Sequence, residues 1–383
     1  MAVGLRCSHG CFGGAAPVSA HAETPPGYLE QEEKGDRMAL GTVKRINLAL
    51  QGGGAHGAFT WGVLDRLLEE DRIEVAGISG TSAGALNGAA FKSGMVQGGR
   101  DGAKSCLDAL WARMGAVGDM RFSHWMRGFE PAKMVQALEQ VMPFSPAEAW
   151  SQVVSPYHYG PFYSNPLRPV VEAFDFDQVC AQQGPELFVG ATCVRTGKVR
   201  VFQGNGISTD AILASACLPT MFQAVEIFDP KTGRTEAYWD GGYTGNPALF
   251  PLFDKGLPED LVIVNINPLE RDEIPKTPQQ IQNRMNEISF NSSLLRELRA
   301  ISFVQRLLQE GTLQAGAMRR VLVHMIADDD VMRDLSVTTK MIPMPQVLNR
   351  LKQAGRTAAD QFLTAHFEDL GDRSSVDLRA MFA

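Results

Sequence analysis

Two stretches decide the reading of this chain: Ile46-Asn47-Leu48-Ala49-Leu50-Gln51-Gly52-Gly53-Gly54-Ala55-His56-Gly57, and Ile73-Glu74-Val75-Ala76-Gly77-Ile78-Ser79-Gly80-Thr81-Ser82-Ala83-Gly84. Each is a short apolar run that breaks at glycine and passes into a helix-compatible segment. After the first, Phe59, Val63, Leu64, Leu67 and Leu68 recur at helical spacing over Ala58–Glu70. After the second, Ala83–Met95 is rich in small residues. Strand, tight turn and helix, twice in succession, make a βαβα start and therefore a parallel sheet with helices against it.

Further strands are expected at Leu187–Cys193 and Lys198–Gln203, joined as a hairpin through Thr196-Gly197, and at Ala224–Phe228 and Glu236–Trp239. Leu261–Ile266 and Val321–Ile326 read as buried strands. Between them, Leu294, Leu298, Ile301, Val304 and Leu308 share one face of a long helix over Thr277–Gln314. From Asp101 to Phe176 strand signals are scarce, and the segment reads as a helical insertion. Trp111, Met114, Met120, Phe122, Trp125, Met126 and Phe129 fall within it. Two readings of these residues stand side by side, an adaptable acyl-chain surface and ordinary core. The expected fold is a three-layer α/β/α domain with a mainly parallel sheet. Its core spans 46–270, and a helical C-terminal region covers 277–383.

The 383 residues are 44% hydrophobic and 21% charged, with a net charge of -7. That composition is ordinary for a globular protein, and no basic surface points to nucleic acid. Residues 1–37 are rich in Gly, Ala, Ser and Pro and read as a disordered extension ahead of a folded domain at 38–383. Ala20-His21-Ala22 imitates a signal-cleavage site, but Ser8, His9 and glycines interrupt what should be an apolar core. Translation from Met38 is a second reading. The six cysteines follow no metal or disulfide spacing, as in a reduced, cytoplasmic protein. No apolar run is long enough to span a bilayer, so any membrane contact is expected to be peripheral. No ligand cluster calls for a metal or cofactor, and the oligomeric state stays open.

Three motifs carry chemistry. Gly80-Thr81-Ser82-Ala83-Gly84 fits G-x-S-x-G in the context that gives it meaning, a strand before and a helix after. A serine on so sharp a turn stands out at the carboxyl end of the sheet, where the helix N-terminus favours developing negative charge. In Gly52-Gly53-Gly54-Ala55-His56-Gly57, consecutive glycines allow backbone N–H groups to converge on one point, as an oxyanion hole requires. The same letters fit G-x-G-x-x-G of dinucleotide sites, yet the second strand closes on Gly80-Thr81-Ser82 where that motif needs an acid. Asp240-Gly241-Gly242 places a carboxylate at a strand end, although a turn aspartate or a helix cap would look alike.

Taken in this order, the three motifs resemble the patatin-like phospholipase family over about Ile46–Pro251, and Ser215-Ala216-Cys217-Leu218-Pro219 is similar to a family segment before the aspartate. The resemblance implies a Ser82–Asp240 dyad without histidine. Gly52, Gly53 and Gly54 would supply oxyanion donors, and Gly57, Gly80, Gly84, Gly241 and Gly242 would complete the motifs. The substrate would be a lipid or another acyl ester. At His56 the chain departs from the Arg or Lys that many members carry. An ordinary aspartate is a weak base for a serine hydroxyl, so Asp240 is expected to be desolvated and raised in pKa. A Ser–Asp–His triad would instead draw on His324 or His366, which fall on a strand and a helix rather than a catalytic loop. An acyltransferase using the same dyad and a nucleotide-binding interaction protein are the competing functions.

Overall fold

The alternation of the apolar runs dictates the layers. In a computed structural model describing residues 42–119, 155–230, 232–314, 316–335 and 337–382, strand β1 (Lys44–Leu50) sends Ile46, Leu48 and Leu50 to one face and Ala49 to the other. Strand β7 (Asp260–Val264) does the same, with Val262 and Val264 on the first face and Leu261 and Ile263 on the second. A strand that is apolar on both faces needs cover on both sides. The first face receives α1 (Ala58–Leu67), α2 (Ala83–Asp119) and, from the far end of the chain, Leu348, Leu351 and Phe362. The second receives Leu294, Leu298 and Ile301. Burying each such side chain contributes about 1.5–3 kcal/mol, so the two apolar faces hold the three layers together.

The remaining strands are β2 (Ile73–Gly80), β3 (Glu186–Cys193), β4 (Val199–Gln203), β5 (Val225–Asp229), β6 (Arg234–Asp240) and β8 (Leu322–Ile326). Among the described residues they form one 8-stranded sheet in the order β5-β6-β3-β2-β1-β7-β8, with β4 also pairing to β3. The β1–β2, β1–β7, β2–β3 and β7–β8 pairs are parallel. The expected β3–β4 and β5–β6 hairpins form and, with the β3–β6 pair, make up the antiparallel part. The mainly parallel α/β/α sheet read from the sequence is therefore the observed one, and β8 carries it into the C-terminal region.

The later helices include α3 (Thr209–Ser215), α4 (Pro278–Gln309), α5 (Val337–Met341) and α6 (Pro345–His366). Thr277 and Gln280 close a reciprocal capping box at the start of α4. The α2 span is two helices joined at Gly98-Gly99, where the backbone leaves helical geometry and Gly99 takes φ +61. The helix after Ser82 thus ends close to Met95, as expected, Gly94 packs against Gly102 across the break, and a second helix runs on to Asp119. Of the apolar cluster read in the insertion, Trp111 and Met114 lie on this helix. Met120, Phe122, Trp125, Met126 and Phe129 fall outside the described residues, as does the extension 1–37.

One detail of the pairing positions everything that follows. β2 pairs with β3 over Glu186–Val189, β4 over Phe188–Thr192, and β6 over Ala191–Cys193. Because β4 occupies the opposite edge along both stretches, β2 and β6 lie in line on the same edge of β3. They run toward each other, and their carboxyl ends, Gly80 opposite Val189 and Asp240 opposite Ala191, flank Gly190.

Candidate active site

Ser82 follows directly on β2 and adopts φ +54, the sole non-glycine residue with positive φ among the described residues. That conformation costs an L-residue about 1–2 kcal/mol, so the fold must hold it there. The Ser82 N–H donates to Ser215 Oγ at 2.9 Å, and the Ser215 hydroxyl donates to Gly190 O at 2.6 Å. On the helix side, Leu86 N–H donates to Ser82 O at 3.1 Å and Gly84 N–H to Thr81 O at 2.8 Å. The turn fits only because its neighbours lack Cβ. A Cβ on Gly84 would stand 2.1 Å from Leu50 O, one on Gly52 would stand 2.8 Å from Ser82 Cβ, and Gly57 and Gly80 abut Ala83 and Gly84 as closely.

Asp240 reaches the same point from the other side. Its N–H donates to Cys217 O at 2.7 Å, its own carbonyl accepts from Thr192 Oγ1 at 2.8 Å, and Gly242 N–H donates to its Oδ1 at 2.7 Å. The Ser82 hydroxyl donates to the Asp240 carboxylate. The side chain is 1% exposed. Burial pushes its pKa up to about 7 against the opposing pull of the Gly242 and Ser82 hydrogen bonds. Gly241 and Gly242 make the loop tight enough, since Cβ atoms there would strike Gly190 O and the Phe290 ring. Burial likewise raises the neighbouring Cys217 thiol to about 12, so it stays neutral beside the carboxylate.

The glycine loop differs in one respect from its expected role. Gly52 N–H, assigned to the oxyanion from sequence, donates instead to Asn246 Oδ1 at 2.7 Å, because a buried backbone donor must be satisfied. Asn267 Nδ2 holds Gly52 O at 2.9 Å, and Gln51 Oε1 accepts from Ile266 N, Asn267 N and Asn267 Nδ2. This buried amide network fixes the loop from beneath. Gly53 and Gly54 then stand at the N-cap and first position of a 3-10 turn, Gly54–Gly57, whose leading N–H groups have no acceptor within the turn. The Ala83 N–H, at the start of α2, occupies the same kind of position.

His56 is bound to α5. Its ring is 1% exposed with Nε2 2.8 Å from Thr339 Oγ1, and burial, helped by the nearby Lys340 charge, lowers its pKa well below the usual histidine value. His324 is bound to Asp260 through Nε2 at 3.0 Å and to Ser375 through Nδ1 at 3.1 Å, and His366 to Asp369 at 2.8 Å. No imidazole among the described residues is hydrogen-bonded to Ser82 or Asp240.

Ser82 opens into a cleft of about 860 Å³, counting its solvent-facing mouth. Leu86, Leu110, Met114, Leu218, Met221 and Phe222 give the wall its apolar character. Among the described residues, the polar side chains on it are Ser82 and Lys340, apart from the Trp111 indole, whose N–H donates to Asn87 Oδ1 at 2.9 Å. Sequence reasoning missed Asn246, Asn267 and Lys340. It marked the Ser215–Pro219 segment without finding that Ser215 ties down the nucleophile and Cys217 the aspartate. Among the described residues there is no cluster of three or more metal-ligating side chains, and no helix is long and apolar enough to cross a membrane.

A serine on a strained elbow and a buried aspartate thus come together beside an apolar cleft. The sequence matches the patatin-like phospholipase family over residues 48–253, a span that holds the glycine loop, Ser82 and Asp240. The chain belongs to that family and is a lipid acyl hydrolase acting on carboxylic esters. No curated protein matches it. Among solved structures it is similar to the crystal structure of VipD from Legionella pneumophila, at 13% identity and a TM-score of 0.37, with 84% of this chain and 67% of that chain covered.

Proposed function

We propose that the enzyme cleaves lipid esters through a Ser82–Asp240 dyad and a covalent acyl-enzyme, without histidine or metal. The observation that carries this reading is the Ser82 hydroxyl donating to a buried carboxylate whose pKa stands near 7. A base poised there is ionised in half the molecules at neutral pH yet basic enough to take a hydroxyl proton in the transition state. Ser82 Oγ adds to the ester carbonyl as its proton passes to Asp240, and the carbonyl electron pair moves to oxygen. The negative oxygen is received by the N–H groups of Gly53, Gly54 and Ala83, each worth about 3 kcal/mol if well aimed. Collapse expels the alcohol, which takes the proton from Asp240. Water, deprotonated by Asp240, then releases the acid.

The apolar wall supports an acyl chain as the buried half of the substrate, and contact with a lipid surface would be peripheral. A fluorophosphonate probe should label Ser82 in the wild-type chain and fail to label Ser82→Ala. Mass spectrometry of acids released from a panel of phospholipids, lysophospholipids, neutral lipids and short esters would identify the substrate. Acyl transfer to an alcohol in place of free acid would assign a transferase. A folded wild-type chain that neither labels nor turns over any ester would refute the reading.

A further inference from the structure

The amine of Lys340 is the unexplained charge of this molecule. Lys340 lies on α5, outside the family-matched span, yet it lines the same cleft as Ser82, Gly54 and Ala55. Its backbone packs directly on the glycine loop, where the Lys340 carbonyl stands 2.3 Å from the Cβ position of Gly54, a residue at φ +57. The His56–Thr339 hydrogen bond pins the neighbouring residue of α5 to the same loop. Lys340 Nζ donates to Asn267 Oδ1 at 2.9 Å, an oxygen 3.8 Å from the Cβ position of Gly53. The side chain is thus held against the loop from two sides.

A cation half-buried against an apolar wall is costly unless paired, and this one has no ion pair among the described residues. Glu287, the carboxylate that acts on it, is already bound by Arg271 at 2.6 Å and by Arg284 at 3.2 Å. The ammonium spends one of its three donors on Asn267 and keeps two. Desolvation brings its pKa down to about 8, which leaves it protonated at neutral pH. Among the described residues, the wall around it offers no other polar side chain than Ser82 and the engaged Trp111 indole.

We infer that the Lys340 ammonium receives the negative charge that develops on the ester carbonyl oxygen when Ser82 adds to it, beside the N–H groups of Gly53 and Gly54. This role rests on the dyad reading. Lys340 keeps its proton throughout, since the hydroxyl proton of Ser82 goes to Asp240 and the electron pair of the carbonyl bond goes to oxygen. A charge felt only when the oxyanion forms acts on kcat rather than on ground-state binding.

The test uses the full chain, a short neutral ester such as p-nitrophenyl butyrate, and an alkyl fluorophosphonate. Lys340→Met should lower kcat by about 10²-fold with KM changed less than about threefold, and should slow phosphonylation of Ser82 in parallel. Lys340→Arg should recover at least about tenfold of the loss, which a purely structural effect would not predict. Lys340→Gln, closer in shape and polarity, replaces Met if that variant does not fold, with the same expected loss. Unchanged turnover of the neutral ester by a folded Met or Gln variant would overturn the assignment. So would a defect confined to KM on anionic lipids, which would make Lys340 a headgroup contact. Failure of the wild-type chain itself to label or turn over would refute the dyad and this role together.

Discussion

Replacing Asp240 by Asn should inactivate the enzyme and stabilise it, and the stabilisation should depend on pH in a defined way. The native carboxyl titrates at about 7, against 3.8 for an unperturbed aspartate. Below about pH 4 both the native and unfolded chains hold the proton, and the group adds no penalty. Between about pH 4 and 7 the unfolded chain ionises while the native one does not, so wild-type stability falls as pH rises. Above 7 the penalty is complete, about 4 kcal/mol from three pH units at about 1.4 kcal/mol each. Asparagine keeps an Oδ1 for the Gly242 N–H and cannot ionise. In urea titrations at pH 4, 5, 6, 7 and 8, the variant should therefore gain on wild type by up to about 1.4 kcal/mol per unit and level off above 7. Its turnover should fall by about 10²–10⁴-fold. A stability difference that is flat across this range, or that grows toward acid, would refute the burial of an ionisable base at this position.

Three other outcomes follow from the geometry. Ser82→Gly should abolish turnover while raising stability by about 1 kcal/mol, because glycine accepts φ +54 without strain, whereas Ser82→Ala should be equally inactive without that gain; thermal melts compare the two. His324→Ala should keep kcat but lose about 1–3 kcal/mol in urea unfolding, since it leaves the buried Asp260 carboxylate with the Gly371 N–H but without its imidazole partner, and loss of turnover in folded protein would point to a triad. Met221→Ser, on the cleft wall and partly exposed, should reduce kcat/KM on long-chain esters more than on short ones; equal losses would mean that the acyl chain lies elsewhere.

The sheet was legible in the sequence because its signals are local. Runs such as Leu261–Val264 declare a strand covered on both faces, and Thr196-Gly197 declares its own hairpin. Ser82 and the glycines around it were legible for the same reason, as the elbow and loop are built from consecutive residues. What surrounds them was not. Asn246 and Asn267 reach Gly52 only after the chain has crossed the sheet, and an isolated asparagine carries no pattern that marks such a bond. Assigning Gly52 to the oxyanion failed there, since a sequence shows that a glycine can offer its N–H but not that a distant amide has claimed it. Lys340 belongs to a helix of five residues with no periodicity to announce which way it faces. The break at Gly98-Gly99 was legible because two successive glycines end a helix by themselves.

The in-line arrangement of β2 and β6 makes the edge of β3 a ruler for the chemistry. The distance between Ser82 and Asp240 is set by the spacing of Val189 and Ala191 on one strand, not by the lengths of the connections that lead to them. Chain beyond the first turns of α2 is then free to lengthen, shorten or change its sequence without moving the two reacting groups apart. A slip of β3 by one residue against either neighbour, in contrast, would reset the gap by a full strand step of about 3.3 Å and dismantle the dyad without disturbing a single residue of it.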